Sequence, residues 1–263
     1  MDFARKYGPW AIVAGASEGL GAAFATQLAQ RGVNVVLVAR RTAMIEALAQ
    51  QLRTTGVQVR SLTVDLGTPT APKDVIDGVD GLEVGLVVYN AALSPIGPFV
   101  NQSLDENLRA LEVNVRTPTA LAHHFTRVFA TQGRGGLSLL SSLTAFQGSP
   151  WVSVYGATKS YNLALAEGLW AELEGSGVDV MAVCAGATTT PNFLKAAPNG
   201  AVGMLSPEAV AKDALESLGK GPLTIGGRFN RFASFLMRRL LPRRMTIGIM
   251  GDQTRRLQLP KGS

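Results

Sequence analysis

The stretch SVYGATKS sets Tyr155 and Lys159 four residues apart, in a segment whose alanines and following LALAEGL run have helical character. Residues at i and i+4 share a helix face, so a phenol and an ammonium stand side by side there. Most such pairs are structural. The chemistry this one could do is proton transfer. A free tyrosine titrates near 10, and a cation held roughly 4 Å away at an effective dielectric of about 20 is worth about 4 kcal/mol, or about three pK units, before desolvation opposes it. A phenol assisted in this way comes into range for acid–base work at neutral pH.

A second group of residues could hold phosphate. The apolar run WAIVAG leads into Gly15-Ala16-Ser17-Glu18-Gly19-Leu20-Gly21 and then AAFATQLAQRG. Glycines at a strand-to-helix turn let the backbone approach a ligand closely, and the helix start offers N–H groups and partial positive charge to a pyrophosphate. The spacing is G-x-x-x-G-x-G, and the Lys-Ser/Thr ending of a nucleoside-triphosphate loop is missing. After the second apolar run, where an NAD-binding protein usually carries an acid for the adenine ribose, stand Arg40 and Arg41. Guanidinium pairs with a 2′-phosphate that a carboxylate would repel, so NADP(H) is expected over NAD(H). Two arginines capping a strand end in solvent are the plainer explanation.

These residues need strand ends and helix starts to position them. Short apolar, β-branched runs at 10–15, 33–39, 57–65, 84–90, 136–142, 178–185 and 222–227 read as strands. Helical periodicity fills 19–31, 42–55, 72–79, 105–131, 155–175 and 206–219, the last opening on Ser206-Pro207-Glu208. The alternation predicts a single-domain α/β protein, a Rossmann-like doubly wound parallel sheet of about seven strands with helices on both faces. Residues 1–227 form the expected catalytic body and 228–263 a C-terminal extension. Ligands of such sheets lie beyond the carboxyl ends of the strands.

With the glycine loop, the asparagine ending the fourth strand and SVYGATK in this order, the sequence resembles the short-chain dehydrogenase/reductase family over about residues 8–226, and its tail resembles the C-terminal region of the hydroxysteroid dehydrogenase and ketoacyl reductase-like members. The loop is similar to TGxxxGxG with Ala14 in place of threonine; Tyr89-Asn90-Ala91-Ala92 matches NNAG in part. Asp65, beside Leu66, resembles the acid that contacts adenine. Asn114 in EVNV and Ser142, thirteen residues before Tyr155, fall where the catalytic asparagine and serine belong. The resemblance implies that Tyr155 gives a proton to a ketone or aldehyde oxygen while the nicotinamide delivers hydride. Ser142 would then hydrogen-bond that oxygen, Lys159 would lower the phenol pKa and hold the nicotinamide ribose, and Asn114 would position a relay water. Gly186, Thr188 and Thr190 resemble PGxxxT with Ala185 for proline, and imply contacts to the carboxamide.

Composition narrows the alternatives. The chain has 263 residues, 46% hydrophobic and 17% charged, with mean hydropathy +0.17, which argues against disorder. Charges and a broken apolar run at the N-terminus predict neither a signal peptide nor a membrane span, hence a cytoplasmic body. A lone Cys184 in an apolar run and adjacent His123 and His124 predict a buried strand thiol and no metal site. From Gly227 onward nine basic residues face one acid, Asp252, a local charge of +8, leaving −2 elsewhere. There Phe229, Phe232, Leu236 and Leu240 recur at helical spacing among arginines until Pro242. Such a stripe packs on its own core or a partner subunit, or lies peripherally on an anionic membrane; nucleic acid is not expected. The apolar segment 191–206, with Leu93, Phe146, Trp151 and Val152 at the mouth, points to a hydrophobic carbonyl or alcohol substrate, and Lys195 is its one candidate anchoring charge. By the resemblance, subunits pair as a homodimer or homotetramer through the helices 105–131 and 155–175. A cofactor-binding sensor or scaffold is the rival function, but its mark, loss of Tyr155, Lys159 or Ser142, is missing. Epimerases and dehydratases of this fold tend to be longer.

Overall fold

The structure is a computed structural model describing residues 2–196, 201 and 203–258. It holds seven strands, β1 (Trp10–Ala14), β2 (Asn34–Ala39), β3 (Val59–Thr63), β4 (Val84–Tyr89), β5 (Gly135–Ser142), β6 (Val178–Ala185) and β7 (Leu223–Ile225). Its helices are α1 (Phe3–Tyr7), α2 (Gly19–Ala29), α3 (Thr42–Arg53), α4 (Ala71–Gly78), α5 (Leu104–Leu111), α6 (Thr117–Gln132), α7 (Ser153–Glu172), α8 (Pro191–Ala196), α9 (Pro207–Ser217), α10 (Arg228–Arg239) and α11 (Arg243–Gln258). The strands form one parallel sheet in the order β3-β2-β1-β4-β5-β6-β7, the expected doubly wound architecture.

Alternate residues of each strand feed two cores. Ala11, Val13, Val35, Leu37, Leu86 and Val88 pack with α2, α3 and α9 on one face. Ile12, Ala14, Val36, Val38, Val87 and Tyr89 pack with α4, α6 and α7 on the other. Both faces being covered, the strands carry unbroken apolar runs, as a parallel sheet requires. The sequential order reverses at β1, whose neighbours are β2 and β4. A crevice therefore opens beyond the carboxyl ends of β1 and β4.

Three differences from the sequence reading bear on function. The helix expected over 105–131 is two helices joined by a π-helical turn, Glu112–Arg116. Pro118 lacks an N–H, so the Asn114 carbonyl has no α-helical donor. α10 stops before Pro242 as expected, but a further helix that the sequence reading did not foresee, α11, follows within the extension. The expected apolar stripe is also not buried on the body at Phe229, Phe232 and Leu240. α10 meets the body through Asn230 and Ser234, each 5% exposed, and leaves Phe229, Phe232 and Phe235 at 56%, 62% and 58%. Asn230 is held by its amide, which donates to the Gly203 and Gly226 carbonyls at 3.1 Å each. Among the described residues no helix is long and apolar enough to cross a membrane. Residues 197–200 and 202 of the expected substrate loop, and Lys261, lie outside the described residues.

Candidate active site

The glycine loop lines the crevice at the reversal point. Gly15 and Gly19 have φ of +85° and +57°, a region L side chains avoid. A methyl group at Gly21 would lie 2.0 Å from the Gly15 carbonyl oxygen, and one at Gly15 2.7 Å from the Ala91 backbone. The Asn90 amide donates to the Gly15 carbonyl at 2.9 Å, and the N–H groups of Asn90 and Ala91 both donate to the Ala14 carbonyl at 2.9 Å. Asn90 thus braces the loop, while Ala92 is exposed beyond it. Leu20 turns into the core at 9% exposure. Glu18 precedes α2 without capping it through its side chain, so the first-turn N–H groups stay available. A backbone cradle that a Cβ would fill, at an uncapped helix start, fits a dinucleotide pyrophosphate.

The adenosine side is already wired together. Arg41 donates to the Ser17 hydroxyl at 2.7 Å and pairs with Glu18 at 2.7 Å, its side chain half exposed. Arg40 is exposed and makes no ion pair among the described residues. Asp65 accepts from the Gly67 N–H at 3.0 Å and from Arg109 of α5 at 2.6 Å. Partial burial raises its pKa, but these donors and the Arg40 charge outweigh that and hold it below the ordinary carboxylate value. Leu66 is buried, its carbonyl accepting from the Thr117 hydroxyl at 2.9 Å. Arg109 was not foreseen; nothing in its spacing marks it.

At the other end of the crevice β5 delivers Ser142 and α7 delivers Tyr155 and Lys159. Two serines fasten this helix to that strand and to the 3₁₀ turn that follows it. Ser141 donates to the Lys159 carbonyl at 2.8 Å and Ser160 to the Ala145 carbonyl at 2.7 Å. The Ser142 hydroxyl accepts from the Thr144 N–H at 3.2 Å and lies on the Tyr155 side of the turn, where it opposes the rise of the phenol pKa. Lys159 is 2% exposed and its ammonium donates to the Leu140 carbonyl at 2.7 Å. The expected lowering of the phenol pKa is corrected here. Burial raises Tyr155 above its ordinary value, and the opposing pull of Ser142 does not cancel it. Lys159 is itself lowered to about 8 by burial. The reason is placement: the ammonium sits 5.5 Å from the ring centroid, turned to a backbone carbonyl. Each group is therefore pushed toward its neutral form.

Asn114 is fully buried in the π-helical turn. Its carboxamide accepts from the Leu93 N–H and donates to the Leu93 carbonyl, both at 2.8 Å, and donates to the Thr158 hydroxyl at 3.0 Å. Leu93, expected at the substrate mouth, is thereby clamped through its backbone. The turn after β6 closes the crevice. Gly186 abuts Asn230 of α10, since a Cβ there would lie 2.7 Å from the Asn230 amide nitrogen. Thr188, 6% exposed, donates to the Gly186 carbonyl at 3.1 Å. Thr190 packs on Gly19, and its hydroxyl accepts from the Phe193 N–H at 3.2 Å, so it caps α8 in this structure. Cys184 is fully buried as expected, and burial pushes its thiol up to about 12.

A seven-stranded sheet with a glycine cradle at one end of its crevice and Ser, Tyr and Lys at the other defines a nicotinamide-dependent oxidoreductase of the doubly wound class. The chain belongs to the short chain dehydrogenase family, whose model matches residues 9–199. It is 37% identical over 238 residues to a 7beta-hydroxysteroid dehydrogenase of Collinsella aerofaciens, covering 88% of this chain and 90% of that one. A solved structure from work on 7beta-hydroxysteroid dehydrogenase stereoselectivity superimposes with a TM-score of 0.90 at 35% identity, covering 95% of this chain and 99% of that chain. A short-chain dehydrogenase from Sphingobium yanoikuyae in complex with NADPH gives a TM-score of 0.76 at 32% identity, with 82% and 87% covered.

Proposed function

We propose that the protein is an NADP(H)-dependent dehydrogenase of hydroxysteroid type, interconverting a hydrophobic ketone and its alcohol. The observation that carries this reading is the buried Lys159 ammonium 5.5 Å from the centroid of the Tyr155 ring, with Ser142 at the adjoining end of β5. The steroid class follows from the relatives' names and from the apolar surroundings of Leu93, Trp151 and Val152. When bound, the nicotinamide cofactor supplies or accepts hydride. In reduction Tyr155 gives its phenolic proton to the carbonyl oxygen, which Ser142 holds in place by a hydrogen bond. Lys159 supports the phenol from beneath and holds the nicotinamide ribose. Asn114 keeps its side chain on Leu93 and Thr158, so the group it offers to a relay water is its main-chain carbonyl, which Pro118 deprives of its α-helical donor.

Glycines 15, 19 and 21 with Ser17, Glu18 and Leu20 cradle the pyrophosphate, Asp65 and Leu66 line the adenine side, and Gly186, Thr188 and Thr190 face the carboxamide. Arg40 and Arg41 take the 2′-phosphate. The Arg41–Glu18 pair is half exposed and so worth little, and a phosphate can replace it. The test is NADPH against NADH binding by intrinsic fluorescence, with turnover of a panel of steroid ketones. Wild type should prefer NADPH, Arg40→Asp/Arg41→Ala should lose that preference, and Tyr155→Phe should bind cofactor without turnover. Binding of neither nucleotide overturns the reading.

A further inference from the structure

Arg40 and Asp65 stand at the carboxyl ends of neighbouring strands. Ala39 of β2 is in register with Thr63 of β3, and the Val64 N–H donates to the Ala39 carbonyl at 3.1 Å, so the two chain ends leave the sheet side by side. A guanidinium and a carboxylate placed in this way attract each other strongly. Yet among the described residues Arg40 makes no ion pair. Asp65 is already taken: its Oδ2 accepts from Arg109 at 2.6 Å and its Oδ1 from the Gly67 N–H at 3.0 Å. The Arg40 charge still helps to hold the Asp65 carboxyl below its ordinary value, so the two groups act on each other without pairing.

Arg109 reaches this carboxylate from α5, over a path cleared for it. A methyl group at Gly67 would lie 3.5 Å from Arg109 Cγ and 3.1 Å from Val113, so the arginine stem runs over a residue with no side chain. The turn after Asp65 has other anchors. Thr117 donates to the Leu66 carbonyl at 2.9 Å and Arg116 to the Pro69 carbonyl at 3.0 Å, and neither needs Arg109. The Arg109–Asp65 side chains are 43% and 33% exposed, so their pair adds little to stability and its effect lies in the charge it sets. Glu18 holds Arg41 at 2.7 Å in the same region. Arg40, Arg41 and Arg109 thus face Glu18 and Asp65 with a net charge of +1; without Arg109 the balance is zero and Asp65 is free to capture Arg40. An unpaired carboxylate repels a phosphate dianion, whereas NADH carries a neutral hydroxyl at that position.

We propose that Arg109 is a positioning residue for cofactor choice: by occupying Asp65 it keeps Arg40 free to take the 2′-phosphate of NADP(H). This rests on the NADP(H) reading above. The test titrates NADPH and NADH into wild type and variants by intrinsic fluorescence, with no turnover required. Arg109→Gln should weaken NADPH binding about tenfold, as loss of one charge-assisted contact does, and NADH binding by no more than about twofold. Arg109→Lys should recover part of the NADPH loss. Asp65→Asn/Arg109→Gln removes the carboxylate that would capture Arg40, and should return the NADPH-to-NADH ratio to within about threefold of wild type. Arg116→Gln, which loosens the same turn at Pro69 and leaves Asp65 paired, should keep the wild-type ratio. Added salt should narrow the gap between wild type and Arg109→Gln for NADPH and leave NADH unaffected.

A loss of equal size for both nucleotides, or none for either, overturns the proposal, because an arginine that only braces the turn does not select between them. So does a double variant with a ratio as poor as that of Arg109→Gln, which would mean that Arg109 acts on the phosphate itself and not through Asp65. Wild type without a preference for NADPH overturns the NADP(H) reading and this proposal with it, so wild type alone tells the two failures apart.

Discussion

Lys159 carries the largest electrostatic penalty in the site. Its ammonium is 2% exposed and lowered from 10.5 to about 8, a cost on the order of 3 kcal/mol at neutral pH. Because the folded value lies below the unfolded one, the unfolded chain binds more protons between about pH 8 and 10.5. The penalty is therefore complete below pH 8 and fades as pH rises toward 10.5. Lys159→Met should raise Tm at pH 7 while abolishing turnover, and its stability advantage should shrink through the alkaline range. A Tm below wild type at pH 7 would mean that the Leu140 hydrogen bond outweighs desolvation. Tyr155, raised by burial, stays a phenol at neutral pH and so is set to donate a proton. On the proposed mechanism, kcat/KM for alcohol oxidation should rise from neutral to alkaline pH while that for ketone reduction does not; matched pH profiles would remove Tyr155 from the proton step. The pairing of Tyr155, Lys159 and Ser142 is legible in sequence because helix periodicity and a strand end fix it. Their pKa directions are not, since those depend on where the ammonium points.

At the scale of elements, the glycine loop works by having no side chains where β1, α2 and the end of β4 converge. Gly21→Ala would drive a methyl group to 2.0 Å from the Gly15 carbonyl oxygen and 2.8 Å from the Asn90 amide. The loop must shift, and the expected outcome is a roughly hundredfold or greater loss of NADPH affinity with unfolding still cooperative, because a misplacement of this size in a binding loop costs far more than a surface substitution. Undiminished affinity by fluorescence titration would show that the cradle is elsewhere. The sheet and its helices are readable from the alternation of apolar runs, since covering both faces leaves few other arrangements for these strands. What escaped is local. The π-helical turn around Asn114 is signalled only by Pro118, which a helix start also tolerates. The binding of Arg109 to Asp65 and of Arg41 to Glu18 joins residues from separate elements. α11 lies in a stretch whose arginines, glycines and Pro242 argue for an end to regular structure.

For the molecule as a whole, the unburied apolar surface decides how copies meet. Leu104, Leu108 and Leu111 recur along one face of α5 at 69%, 49% and 42% exposure, and α5 packs on α7, which exposes Tyr161 and Trp170. α10 exposes its phenylalanines among arginines of a segment carrying +8, whereas the rest of the chain carries −2. Two copies brought together through α10 would juxtapose like charges, and a patch of this size on α5 and α7 is the larger liability if left in water. Pairing is therefore expected across α5 and α7. Wild type is expected to sediment as a dimer or tetramer, Leu108→Arg/Trp170→Glu as a smaller species, and Phe232→Ser as wild type. The reverse pattern would assign the interface to the extension.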